Sequence, residues 1–227
     1  MKKPLIGIVA RVEYPGGTHK LVLNDEYRRK LISMGADVMM IIPSQLIDYG
    51  DVKYEEQKDL STDEKEMIIR QIKMCDGVLL PGGFKTNLFD MFIIDYLIEH
   101  DIPTLGICLG MQQMANYKKE KLWNDKNESE INHFNLDSNE VHVVKIDKKS
   151  KLYEIIGKEE IMVNSRHNFH IVGNDLYDNV AYAPDGYVEA IEMKNKKFNI
   201  GVQWHPEGME DGSSNKLFNS FIDACKG

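Results

Sequence analysis

The sequence predicts an α/β fold, a doubly wound, mostly parallel sheet flanked by helices on both faces, with a small antiparallel strand addition in the second half. Three observations carry the prediction. Short apolar runs alternate with amphipathic ones through the first half, as in βαβ units that stack a parallel sheet between helices. Two of those runs stop in glycine-rich turns, Pro81-Gly82-Gly83 and Gly106-Ile107-Cys108-Leu109-Gly110. The length of 227 residues, with 42% hydrophobic and 28% charged residues, suits one globular domain spanning 1–227.

Taken in order, Leu5 to Ala10 is a compact apolar run for a buried strand, and Tyr27, Leu31 and Met34 recur at helical spacing before Gly35. Val38 to Ile42 is the second strand, ended by Pro43. Ser61 and Glu64 have the spacing of a capping box and open a helix continued by Met67, Ile68, Gln71 and Ile72. Val78 to Leu80 is a third strand, Phe89 to Ile98 a helix and Pro103 to Cys108 a fourth strand. Residues 118–140 are polar with little periodicity and read as a surface excursion. Beyond them Val141 to Ile146, Ile161 to Asn164, Val188 to Met193 and Phe198 to Gln203 read as strands, and Leu217 to Ala224 as a closing helix.

Charge and composition exclude several functions. The net charge is −8 with lysines mixed among acids, so no basic stripe is available for nucleic acid. No apolar run approaches the ~20 residues that span a bilayer, and Arg11 cuts short the run that follows Lys2 and Lys3, which is therefore expected to be a first strand rather than a signal peptide. Three scattered cysteines make no disulfide framework and suggest a reducing cytoplasm. Neither a dinucleotide fingerprint nor a phosphate-binding loop is present.

The chemistry concentrates at Cys108. A strand meets a helix there, with glycines two before and two after the cysteine, as in a nucleophile elbow with sulfur in place of hydroxyl. A helix N-terminus favours thiolate, although a small buried packing role fits the pentapeptide equally well. Cys75 and Cys225 lack such a setting and read as packing residues. A thiolate nucleophile needs a base and the base an orienting carboxylate, which His205 and Glu207 offer in Gln203-Trp204-His205-Pro206-Glu207. In an extended segment the two would project to the same side, whereas alone the motif reads more readily as a surface turn, and it is the elbow that favours the dyad. Backbone N–H groups of Gly83 and Leu109 are the natural oxyanion donors. His167 and His170 are three apart, but no carboxylate or cysteine clusters with them at ligand spacing, so no metal is expected and a substrate-side or structural role fits them better.

With these residues in view, the chain resembles the class I glutamine amidotransferase superfamily, whose hallmarks are the Gly-x-Cys-x-Gly elbow, the Pro-Gly-Gly turn and a late His-Pro-Glu. Within it the chain is most similar to the γ-glutamyl-γ-aminobutyrate hydrolase-like family, through Asn164-Ser165-x-His167 and Asp185-Gly186-x-Val188-Glu189-Ala190-Ile191. The resemblance implies that Cys108, His205 and Glu207 form a triad and that Cys108 carries a γ-glutamyl thioester resolved by water, without a cofactor. It places Gly82, Gln112, Asn164, Ser165 and His167 on the substrate side. The implied partner is a small γ-glutamyl compound, with a homodimer or a separate synthase as protein partners; a glutaminase subunit that feeds such a synthase is the alternative. Departures fall at Phe84-Lys85-Thr86-Asn87-Leu88, where the hydrolases carry an aspartate and a tyrosine in a longer loop. They also fall at Leu109, where those hydrolases have arginine, and at Asn168-Phe169, where they have a His-Gln pair. These leave the substrate open.

Overall fold

The structure, a computed structural model, describes residues 2–13, 17–49, 52–118, 124–172 and 176–227. Its first half runs β1 (Leu5–Val9), β2 (Arg11–Glu13), β3 (Lys20–Val22), α1 (Asp25–Ser33), β4 (Asp37–Ile41), α2 (Thr62–Ile72), β5 (Gly77–Leu80), α3 (Leu88–Glu99), β6 (Thr104–Ile107) and α4 (Leu109–Ala115). The second half adds β7 (Asn124–Lys126), β8 (Phe134–Asn135), β9 (His142–Ile146), α5 (Lys151–Ile156), β10 (Glu160–Val163), β11 (Ser165–Arg166), β12 (Phe169–Ile171), β13 (Asp178–Tyr182), β14 (Val188–Glu192), β15 (Asn199–Val202) and α6 (Gly212–Ala224). Among the described residues no helix is long and apolar enough to cross a membrane.

One sheet draws strands from both halves in the order β10-β9-β13-β14-β15-β6-β5-β1-β4. The pairs β15–β6, β6–β5, β5–β1 and β1–β4 are parallel, and the pairs from β15 outward to β10 are antiparallel. The doubly wound α/β architecture is therefore the one the sequence predicts, and its antiparallel extension runs to four strands. Alternation along each parallel strand divides the core between the two faces. Leu79, Leu105 and Ile107 pack with Tyr27 and Leu31 of α1 and Phe218 and Phe221 of α6. Val78 and Leu80 face the other way, toward Ile68 and Ile72 of α2, Ile93 of α3 and Met111 of α4. Each such fully buried Leu or Ile contributes about 1.5–3 kcal/mol.

Local signals fix the helix starts. The Glu64 N–H donates to Ser61 Oγ while the Ser61 N–H donates to Glu64 Oε2, so the capping box forms as expected and opens α2. Asp211 accepts from the N–H groups of Ser213 and Ser214 and opens α6.

Residues 118–140 require a correction. Residues 119–123 lie outside the described residues, but the rest is more than a surface excursion. β7 pairs with β12, β8 pairs with β11, and His133 between them is buried. A polar stretch without periodicity can still be pinned by short ladders whose partners lie 30 to 47 positions later. α5 and β13 have no counterpart in the sequence expectations. α5 is only six residues long, and β13 carries register shifts that break strict alternation.

Candidate active site

β6 ends at Ile107 and α4 begins at Leu109, so the whole change of direction falls on Cys108. Its backbone has φ 52° and ψ −106°, a left-handed conformation that costs a side-chain-bearing residue of order 1–3 kcal/mol. The flanking glycines allow the crossing. A Cβ on Gly110 would lie 2.0 Å from the carbonyl oxygen of Leu80, and one on Gly106 would lie 2.3 Å from Met114 Sδ. The elbow is therefore set by the close approach of α4 to β5 and β6. Cys108 is buried, 6% exposed.

His205 and Glu207 follow β15, the strand beside β6. The segment is not extended, as the sequence suggests, but turns at His205 into a short 3₁₀ helix, Pro206–Gly208. Proline at the first position suits that turn. The turn still brings His205 Nδ1 to 2.6 Å from Glu207 Oε1. Asn164 clamps the histidine from below, its Oδ1 accepting from the His205 N–H and its Nδ2 donating to the His205 carbonyl, both at 2.8 Å. Burial disfavours charge on His205. The Glu207 carboxylate and then Cys108, through charge and hydrogen bonding, outweigh it and hold the imidazole pKa up to about 10. Cys75 and Cys225 behave oppositely: burial and the nearby Asp76 carboxylate push their thiols to about 11 and about 12.

The Pro81-Gly82-Gly83 turn closes the site. Arg11, 7% exposed, donates through Nη2 to the Pro81 carbonyl at 2.6 Å and through Nε to the carbonyls of Pro81 and Gly82, both at 3.2 Å. Its Nη1 meets Asp90 Oδ1 at 2.7 Å, and Asp90 is fully buried. Because the peptide unit is planar and trans, holding the Gly82 carbonyl toward Arg11 turns the Gly83 N–H to the opposite side. The Gly82 N–H is engaged elsewhere, donating to Tyr27 Oη at 2.9 Å, and Tyr27 is near enough to Glu207 for that charge to help raise its phenol pKa, chiefly raised by burial. Gly83, Phe84, Cys108, Leu109, Gln112, His167 and Phe169 line one narrow cavity of about 90 Å³.

The fold thus brings together Cys108, His205, Glu207, Gly83, Leu109 and Gln112. Four of the residues expected on the substrate side are placed differently. Gly82 spends its N–H on Tyr27, and Asn164 spends its amide on the His205 backbone. Ser165 is fully buried with Oγ 3.2 Å from His133 Nδ1. His167 borders the cavity, but its Nδ1 meets the Phe169 carbonyl at 3.0 Å and its Nε2 points inward to Glu189. Gln112 Nε2 donates to the Phe169 carbonyl and to Gln203 Oε1, which fixes it as part of the wall. Arg11 and Tyr27 escape sequence reasoning, because nothing local links them to a turn some 55 to 70 positions away.

Comparison with known proteins gives the chain a family and a fold. The peptidase C26 family model aligns with residues 85–207, more than half of the chain, and includes the elbow and the His-Pro-Glu turn. The chain belongs to the peptidase C26 family. It thereby falls in the class I glutamine amidotransferase-like superfamily, a group of amide hydrolases. A glutamine amidotransferase-like protein of Rickettsia prowazekii is 28% identical, the match covering 72% of this chain and 82% of that one. A CTP synthase of Lactobacillus johnsonii is 32% identical, covering 78% of this chain but 39% of the synthase, so the chain spans well under half of that relative. Two solved structures share the fold. They are a GMP synthase subunit of Thermoplasma acidophilum (TM-score 0.65, 20% identity, covering 100% of this chain and 96% of that one) and the Trypanosoma brucei CTPS glutaminase domain with bound acivicin (TM-score 0.66, 16% identity, covering 99% and 94%).

Proposed function

We propose that this C26-family chain hydrolyses the γ-glutamyl amide bond of a small γ-glutamyl amine or of glutamine, through a γ-glutamyl thioester on Cys108. The observation that carries the reading is the line of Glu207, His205 and Cys108, with Nδ1 to Oε1 at 2.6 Å and an imidazole held protonated beside the sulfur of a strained elbow. Cys108 Sγ attacks the amide carbon. The negative charge that develops on the carbonyl oxygen is met by the N–H groups of Leu109 and Gly83. The C–N bond breaks as His205 gives its proton to the departing nitrogen. Water then adds to the thioester while His205 takes its proton, the C–S bond breaks, and a carboxylate leaves. Glu207 orients the ring and favours its charged form. A cavity of about 90 Å³ suits a small amide rather than a polypeptide segment.

The test is release of ammonia or amine from glutamine and a panel of γ-glutamyl amines. The parent turns over at least one of them, and Cys108→Ala loses the activity. An unimpaired Cys108→Ala protein overturns the mechanism. Likeness to a 39% portion of a CTP synthase favours a second reading, a glutaminase subunit that delivers ammonia to a separate synthase. Glutamine hydrolysis that stays feeble alone and rises sharply with a synthase present selects it, whereas steady turnover of a γ-glutamyl amine by the isolated chain selects the first.

A further inference from the structure

Next to the cleft the interior holds a group of side chains that the amide chemistry does not use. His133, His142, His167 and Glu189 are all buried and come from four stretches of chain: the segment before β8, β9, the turn between β11 and β12, and β14. One donor atom from each lies within 4.8 Å of the others. Glu189 Oε1 stands 3.5 Å from His167 Nε2 and 3.8 Å from both His133 Nδ1 and His142 Nε2. Those separations are too long for good hydrogen bonds. They are a few tenths of an ångström above the roughly 3.3–3.4 Å that separates ligands about 2.0–2.1 Å from a tetrahedral cation.

The outer ring nitrogens decide what faces inward. His133 Nε2 meets Asp185 Oδ2 at 2.7 Å, His142 Nδ1 meets the Val143 carbonyl at 3.2 Å, and His167 Nδ1 meets the Phe169 carbonyl at 3.0 Å. These three partners are acceptors, and at His167 the carbonyl at 3.0 Å is nearer than the Asn127 amide at 3.5 Å, so each ring proton belongs on the outer nitrogen and each lone pair points toward Glu189. His142 Nε2, His167 Nε2 and both Glu189 oxygens find no hydrogen-bond partner among the described residues. Two unpartnered nitrogens, a third shared only with a hydroxyl, and a buried carboxylate thus converge, an arrangement costly to bury unless a cation joins it. The Ser165 hydroxyl reaches only one of the four, His133 Nδ1.

We propose that His133, His142, His167 and Glu189 form a closed, structural divalent-cation site of the zinc type. Three imidazoles with one carboxylate favour zinc over calcium or magnesium, which take oxygen ligands, and four protein ligands leave no open position for catalysis. Asp185 behind His133 is the outer carboxylate such sites use to orient a histidine. The cation ties the polar stretch around His133 and the β11–β12 turn to β14. Through Asn164, next to Ser165, it steadies the clamp on His205.

The test uses the purified full chain, stripped with a chelator and titrated with zinc chloride or cobalt chloride, and it does not depend on the amide reaction. Expected are uptake of about one zinc per chain, a Tm rise of roughly 10 °C at saturating zinc, and a cobalt visible spectrum of tetrahedral nitrogen and oxygen ligation without a thiolate-to-metal band. Cys108→Ala keeps all three, while His142→Ala and Glu189→Gln lose them. No stoichiometric uptake or no thermal shift in the parent overturns the proposal, and this holds even if a variant fails to fold. Uptake that persists in both ligand variants, or vanishes in Cys108→Ala, overturns it too.

Discussion

His205 is the side chain on whose charge the proposed reaction turns. Burial opposes its charge, but Glu207 and Cys108 together hold its pKa near 10, so at neutral pH it carries the proton that the departing nitrogen needs. Raising the pH through about 10 removes that proton, and kcat/KM for the preferred amide falls along a basic limb there. Replacing Glu207 with Gln takes away the carboxylate's charge, so the limb moves to lower pH and the plateau drops; a limb that stays in place would show that Glu207 does not set the charge. Arg11 acts one step back, by aiming the turn. Arg11→Met frees the Gly82 carbonyl and leaves Asp90 buried without its cation, at a cost of about 3–5 kcal/mol in stability. Under conditions where the variant is folded, kcat drops by up to 10²–10³, the range for losing an oxyanion donor, while KM changes little. A proportionate rise in KM instead would mark the turn as a binding element.

The elbow is an element whose logic is written in sequence, because its glycines answer contacts that recur wherever a helix turns back onto its own sheet. Gly110→Ala drives a methyl group to 2.0 Å from the Leu80 carbonyl, a backbone atom that cannot step aside. The expected loss is about 3 kcal/mol or more in urea unfolding, at the upper end of overpacking penalties. The strands and helices around it were equally legible, since Val78, Leu79 and Leu80 or Ser61 and Glu64 need only their neighbours to declare themselves. The rest was not legible, for a physical reason. Asn164 reads as a substrate contact until β10 places it under His205, and His133 reads as part of a polar loop until β8 and β11 pair. Such roles arise from partners far apart in the chain, and no periodicity encodes them. The turn Pro206–Gly208 also shows that residues two apart can meet without an extended backbone.

At the scale of the whole molecule, the sheet joins two halves with different duties. The parallel half delivers the elbow and the Pro-Gly-Gly turn at the carboxyl edges of neighbouring strands β6 and β5, where open α/β sheets place their ligands. The antiparallel extension supplies Asn164 from the end of β10, and β15, where that extension joins the parallel strands, is followed by the histidine itself. The charged site is then linked to global stability. The folded pKa of His205 near 10 lies above the 6.5 of an unperturbed imidazole, so between those values the native chain binds a proton that the unfolded chain has released. The resulting stabilisation is complete below about pH 6.5 and is lost as the pH rises through 10. Urea unfolding at pH 6, 8 and 9.5 measures it. The parent loses free energy of unfolding across this series relative to His205→Asn, whose neutral amide has no proton to release. Parallel curves for the two proteins would mean that His205 is not charged in the native site, and the proton donor for the departing amine would have to be sought elsewhere.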